Sequence, residues 1–271
     1  MLKIIGFGDN VVDRYLYKNK MYPGGNAVNV PVLAQKTGMA QAGYIGVLGT
    51  DAAGVHVLHA LKSEGLDLSR VRVAEGPNAY ADVTLVEGDR VFIGGSAGVS
   101  NQLTLEPEDA ALMQQYNLIH TSCYSYIDHL MPQLHGLGVQ ICYDYSDHLD
   151  IEKIKETLPY VDIAAFSGGD TDEVTLQALA RAAASHGPSQ VLVTMGGRGS
   201  MLYRDGGFYR QSIHRIPQVR DTMGAGDSFI ARYLCGCFAG ESIAESMQQA
   251  AVFAANNCLV DGTFGYEADI Q

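Results

Sequence analysis

Asp221-Thr222-Met223-Gly224-Ala225-Gly226-Asp227-Ser228-Phe229 sets three small residues directly ahead of an apolar, helix-forming run. Gly224, Ala225 and Gly226 let backbone N–H groups come close to an anion, and the helix dipole adds favourable potential at the same point. Asp227 then lies within reach of whatever the anion site holds. Donors around a transferring phosphoryl group, with a carboxylate to take the proton of the attacking hydroxyl, form the arrangement for in-line phosphoryl transfer. A carboxylate so placed is expected to be held ionised and to be a weak base. A short Gly-Ala-Gly-Asp taken alone reads equally as a helix start with glycine in its turn.

Two further glycine-rich segments precede it. Gly24-Gly25-Asn26-Ala27-Val28-Asn29-Val30 pairs glycines with two amides near a first helical turn. Amides both donate to and accept from sugar hydroxyls, although a glycine turn with an Asn cap has the same spelling. Val193-Thr194-Met195-Gly196-Gly197-Arg198-Gly199-Ser200 runs a strand into a loop suited to lie along a nucleotide at the carboxyl end of a sheet, or simply to join two strands.

Between these segments the pattern alternates. Strands are expected at Leu2–Phe7, Ala42–Leu48, Asn117–Thr121, Val139–Tyr143, Val161–Ala165 and Gln190–Met195. Helices are expected up to Gln35 and at Ala53–Glu64, Pro107–Tyr116, Ile127–His135, Ile151–Leu158, Thr171–His186, Ala225–Ala239 and Ser242–Val260. Such alternation implies a three-layer α/β fold, a mostly parallel central sheet with helices on both faces. Val11–Tyr17 interrupts it, as does a hairpin of Ala79–Val86 and Arg90–Gly94 about Glu87-Gly88-Asp89. Strands near 11–22 and 79–98 thus read as a small β-sheet lid on a single domain spanning 1–271.

The formal charge of −12 over 271 residues argues against nucleic acid, which needs a surplus of Lys and Arg. A bound anion must then be met by backbone amides, a helix start and a divalent cation. No apolar run reaches the roughly 18 residues of a membrane span. The five cysteines show no disulfide or zinc framework, which points to a reducing cytoplasm. Gly94-Gly95-Ser96-Ala97-Gly98 matches the hydrolase elbow, but Val99-Ser100-Asn101 does not start the helix that elbow requires. There is no Walker A run, Gly6-Phe7-Gly8 lacks the third glycine of a dinucleotide turn, and His56 and His59 have no ligand company.

The three glycine segments, in this order, resemble the signatures of the ribokinase-like (PfkB) carbohydrate kinases, and the similarity runs from Gly8 to Gly265. The resemblance implies MgATP as phosphoryl donor, with ATP and Mg²⁺ as cofactors. It implies a hydroxyl of a sugar or sugar–amine conjugate, such as a fructosamine, as acceptor. Asp227 becomes the base and Gly224, Ala225 and Gly226 the anion hole. Asp13, Gly25 and Asn29 become sugar contacts. Thr194, Gly196, Gly199 and Asn256 become nucleotide contacts. The family's Asn-x-x-Glu near Mg²⁺ is matched only by Ser167 and Asp170, and Asp170 reads equally as the cap of the next helix. Asp144 and Asp147 could face a substrate amine or merely decorate a loop. A homodimer paired through the lid is implied as well, since exposed sheet edges need covering. A simple ketohexose, pentose or nucleoside is the competing acceptor. A Rossmann oxidoreductase and a non-catalytic sugar-binding regulator are the competing classes.

Overall fold

The computed structural model of the chain describes every residue except Glu87 and Gly88. Of the turn expected at Glu87-Gly88-Asp89, Glu87 and Gly88 fall outside the described residues. Strand-forming runs assemble an eight-stranded sheet in the order 207–211, 200–204, 190–194, 163–167, 140–144, 118–122, 2–7, 40–45. The six strands from Gln190–Thr194 to Ala40–Ile45 are mutually parallel, and the hairpin of Ser200–Arg204 and Gly207–Gln211 adds two antiparallel strands at one edge.

Side chains alternate across this sheet, so its strands feed two separate cores. Leu2 and Ile4 point to the layer of helices Asn26–Lys36, Ala225–Ala239 and Ile243–Asn257, among Val28, Phe229, Tyr233 and Met247. Ile5 and Phe7 point the other way, to Met113, Met131, Leu134, Leu176 and Ala180. The fold is thus the expected three-layer α/β arrangement, helices on both faces of a mostly parallel sheet.

The chain leaves Leu2–Phe7 towards Ala40–Ile45 on one side and later returns to Leu118–Ser122 on the other. At such a reversal the connections diverge and open a crevice beyond the carboxyl ends of the strands. Over that crevice lies a second sheet of five strands, ordered 268–269, 20–24, 11–15, 80–86, 89–96. Two of these strands are not visible as separate units in the sequence pattern. Val11–Tyr15 stops two residues earlier than expected and turns through Leu16–Lys18 and a left-handed Asn19, at φ 53°. The chain returns antiparallel as Lys20–Gly24, whose Pro23-Gly24 reads in isolation as a turn. The two-residue strand Ala268–Asp269 is too short to carry an alternation. Arg14 clamps the second sheet by pairing with Asp82 at 2.6 Å and stacking over Tyr80.

One contact fixes the height of the first helix above the sheet. A Cβ on Gly6 would stand 1.9 Å from the carbonyl oxygen of Ala27, so only glycine lets the helix start come this close to the central strand. Gly6→Ala is expected to lower unfolding free energy by about 3 kcal/mol through overpacking, read in urea titrations. Unchanged stability would contradict this packing.

Candidate active site

Two cavities open at the carboxyl ends of the strands, of about 700 Å³ and about 570 Å³. The larger lies between the central sheet and the second sheet. The smaller is bounded by the Gly196–Gly199 loop, residues 211–219 and the last two helices. They share a wall of Ser167, Thr222, Ala225 and Gly226. Ser167 ends the strand Ile163–Ser167, and the rest of that wall is the start of the helix Ala225–Ala239. Gly224 caps it in the left-handed region at φ 69°, and as glycine it offers no side chain to the first amides. The Ala225 amide donates to the Thr222 carbonyl at 3.2 Å and closes the turn. Gly224 cannot be replaced cheaply, since a Cβ there would meet the Thr263 side chain at 2.3 Å. The remaining first-turn amides and the positive end of the helix thus stand at the junction of the two cavities.

Asp227 lies on the larger cavity's side of this junction. Its Oδ2 accepts from Asn29 Nδ2 at 2.8 Å, a bond that ties the two glycine-led helices together. Burial pushes its carboxyl up to about 6; the Asn29 bond opposes this and the charge of Asp9 adds to it. The sequence expectation of a carboxylate held firmly ionised by the helix is therefore corrected: desolvation outweighs the dipole here. The group is a better base for it.

Asp13, Gly25 and Asn29, read from the sequence as sugar contacts, all line the larger cavity. Gly25, at φ 106°, leaves no room for a side chain against Asn10 and Asp9. Asp9 is the residue that sequence reasoning missed, although it directly follows the first strand and Gly8. It is buried, and its Oδ1 accepts from Ser122 and Ser125 hydroxyls at 2.8 Å each and from the Ala27 amide at 3.3 Å. Asp144, at the end of the strand Gln140–Asp144, is buried as well. It accepts from Asn26 Nδ2 at 2.9 Å and from the Ser146 amide at 2.8 Å. Burial, then the nearby Asp227 charge, pushes its carboxyl up to about 7. Asp147 is exposed at the rim, where Tyr124 donates to it at 3.2 Å.

The larger cavity is thus lined by five aspartates, and no Lys, Arg or His lines it among the described residues. The smaller cavity is the reverse in character. Among the described residues no Asp or Glu lines it; its walls are glycine, Ile213, Ile216, Val219, Phe229 and the small side chains Ala251, Ala254 and Ala255. Thr194, Gly196 and Gly199, read from the sequence as nucleotide contacts, border it. Gly199 approaches Gln211 so closely that a Cβ would lie 2.1 Å from its carbonyl oxygen. The 211–219 segment has no periodicity and gave no sequence signal.

Two expected residues are not brought to the site. Asn256 is exposed on the last helix, outside the lining of either cavity; Ala251, Ala254 and Ala255 occupy the face that turns inward. Asp170 is also exposed and outside both linings. It does not cap the following helix either, because Asp172 does so by accepting from the Thr175 amide at 3.0 Å. Among the described residues no group of three or more His, Cys, Asp or Glu could hold a metal ion. No helix among them is long and apolar enough to cross a membrane.

An amide-lined junction between an acid-free cavity and an acidic one, with a carboxylate on the acidic side, defines a transferase that passes an anionic group between two ligands. The pattern of the pfkB family carbohydrate kinases matches residues 4–266. The chain is 40% identical over 269 residues to the fructosamine kinase FrlD of Bacillus subtilis (strain 168), covering 98% of this chain and 94% of that protein. It is 36% identical over 264 residues to the fructoselysine 6-kinase of Escherichia coli (strain K12), covering 97% and 100%. Arabidopsis thaliana ribokinase, solved with ribose and ATP, shares the fold at a TM-score of 0.81 and 22% identity, over 99% of this chain and 96% of that one. The chain belongs to the pfkB family of carbohydrate kinases.

The raised carboxyls carry a sign for stability. Asp144 and Asp227 keep their protons to higher pH in the folded chain than in the unfolded one, so their contribution is lost as pH rises from about 4 through 7. His120, buried and pushed down to about 3, acts oppositely below about pH 6.5. A difference between variants removes it. Asp144→Asn is expected to gain about 2 kcal/mol or more relative to the parent between pH 5 and pH 8, in chemical unfolding without ligand. A pH-independent difference would contradict the burial of that charge.

Proposed function

We propose that this kinase transfers the γ-phosphoryl group of MgATP to a hydroxyl of a fructosamine, a sugar joined to the amine of an amino acid such as fructoselysine. The observation that carries the substrate class is the acidic larger cavity. Among the described residues no cation stands beside Asp9, Asp144 or Asp227, a costly arrangement for carboxylates removed from water, and a protonated amine on the substrate supplies the missing charge where a neutral sugar does not. The names of the relatives from Bacillus subtilis and Escherichia coli agree with this reading.

In the proposed reaction, the nucleotide lies in the smaller cavity along Thr194, Gly196 and Gly199, its adenine between the apolar walls. The sugar lies in the larger one against Asp13, Gly25 and Asn29. Asp227 takes the hydroxyl proton as the sugar oxygen bonds to the γ-phosphorus, and the bond from that phosphorus to the β–γ bridging oxygen breaks to release ADP. Backbone amides in the Gly224–Gly226 turn hold the charge spread over the transferring oxygens. Asn29 is given a second task, since its bond keeps the Asp227 carboxylate turned to the acceptor. Mg²⁺ carried on the nucleotide would be held chiefly by phosphate and water, and would supply positive charge at the transferring oxygens. Asp144 and the rim residue Asp147 face the substrate amine. Exposed Phe92 and Ile93 on the outer strand of the second sheet support a homodimer paired there.

Asp227→Asn is expected to lower kcat by about 10²–10⁴ with nucleotide affinity retained; near-parental turnover would remove Asp227 as base. In the parent, kcat/KM should fall below about pH 6 as the coupled Asp227 and Asp144 carboxyls take up protons. ADP release should favour fructoselysine over fructose, ribose and adenosine, and Asp144→Asn should narrow that preference about tenfold. A parent that turns over fructose as well as fructoselysine would overturn the substrate class and leave the reaction standing.

A further inference from the structure

The strand Val11–Tyr15 carries side chains of one face at positions 11, 13 and 15. Val11 and Asp13 line the larger cavity. Tyr15, next on that face, is fully buried and does not line it. Its hydroxyl instead donates to Asp221 Oδ2 at 2.7 Å, across 206 residues of chain. Asp221 is itself buried and stands at the head of the turn that leads to the helix start. Its Oδ1 accepts from the Met223 amide at 2.7 Å, and its Oδ2 also accepts from the Gly262 amide at 3.0 Å. One carboxylate therefore holds a strand of the second sheet, the phosphoryl-binding turn and the loop behind it.

The neighbouring contacts run the same way. Met223 packs on Tyr15, Tyr22 and Val83, the small core of the second sheet. Gly224 rests on Thr263, one residue beyond Gly262. Lys18, three residues after Tyr15, pairs with Asp261 at 3.0 Å. A sugar that moves Asp13 thus moves a strand whose end is tied to the turn Thr222–Gly226.

We propose that Tyr15 is a positioning residue: its bond to Asp221 couples sugar contact on the strand Val11–Tyr15 to the shape of the amide turn at the cavity junction. Sugar binding completes the phosphoryl cradle, and water alone in the acceptor cavity does not. The proposal rests on the phosphoryl-transfer reading of the site, which turnover by the parent chain tests by itself.

The direct test is thermodynamic linkage. Affinity for a non-hydrolysable ATP analogue with Mg²⁺ is measured with and without saturating fructoselysine, or the sugar of the same panel that is turned over if fructoselysine is not. The parent should bind the analogue about fivefold or more tighter with sugar present. Tyr15→Phe, which keeps the ring and removes only the hydroxyl, should bring that ratio close to one. It should lower kcat about tenfold and leave the KM for sugar little changed. A Tyr15→Phe protein with the parental ratio, or a parent with no linkage, overturns the proposal. Should the variant fail to fold, amide hydrogen exchange on the parent decides. Sugar without nucleotide should slow exchange across 222–226, and unchanged exchange there overturns the coupling.

Discussion

Two buried carboxylates and a half-buried third, gathered at the carboxyl end of one sheet without a cation among the described residues around them, set the terms for the rest of this molecule. Asp9, Asp144 and Asp227 come from three distant parts of the chain, and each is held by neutral donors only: serine hydroxyls, asparagine amides and backbone N–H groups. Neutral donors lower the cost of burying charge but do not cancel it, and two of the three carboxyls respond by rising towards neutral pH. Such a cavity is held ready for a ligand that brings positive charge. It also brings the Asp227 carboxyl up to about 6 beside the helix start, in place of the permanently ionised carboxylate that the helix dipole alone would give.

The same accounting explains how a chain of charge −12 handles a polyanion. The acids are confined to one cavity, and among the described residues the other has none. The start of the helix Ala225–Ala239 forms the wall between them and offers amides and a dipole to whatever spans the junction. Gly224 and Gly25 are needed there because side chains at either would strike Thr263 or Asn10. Separation of charge character by a backbone element lets neighbouring cavities prefer ligands of opposite sign.

The sheet and its helices were legible because their apolar alternation is long and regular, and the helix start at Ala225 because small residues stand directly ahead of an apolar run. What the sequence hid depends on long-range contact. Asp9 looks like an ordinary residue after a strand until Ser122 and Ser125 are brought to it across more than a hundred residues. Asp170 read equally as a residue near Mg²⁺ or as the cap of the next helix, and the fold gives the cap to Asp172 instead. Asn256 belongs to the right helix but to its outer face, a matter of one residue in a 3.6-residue period. Lys20–Gly24 was obscured by Pro23, which is tolerated at this strand's end and reads locally as a turn. Desolvation of Asp227 could not be read from its neighbours in sequence, since the burial comes from other elements.

The central claim is that the acidic cavity is neutralised by its substrate. Calorimetric titration of fructoselysine at pH 6.5, repeated in buffers of different ionisation enthalpy, counts the protons exchanged on binding. A cationic amine placed among half-protonated carboxyls must drive them to ionise, so binding should release on the order of one proton to the buffer. Binding with no proton released would mean that the amine does not meet these carboxyls, and would contradict the account.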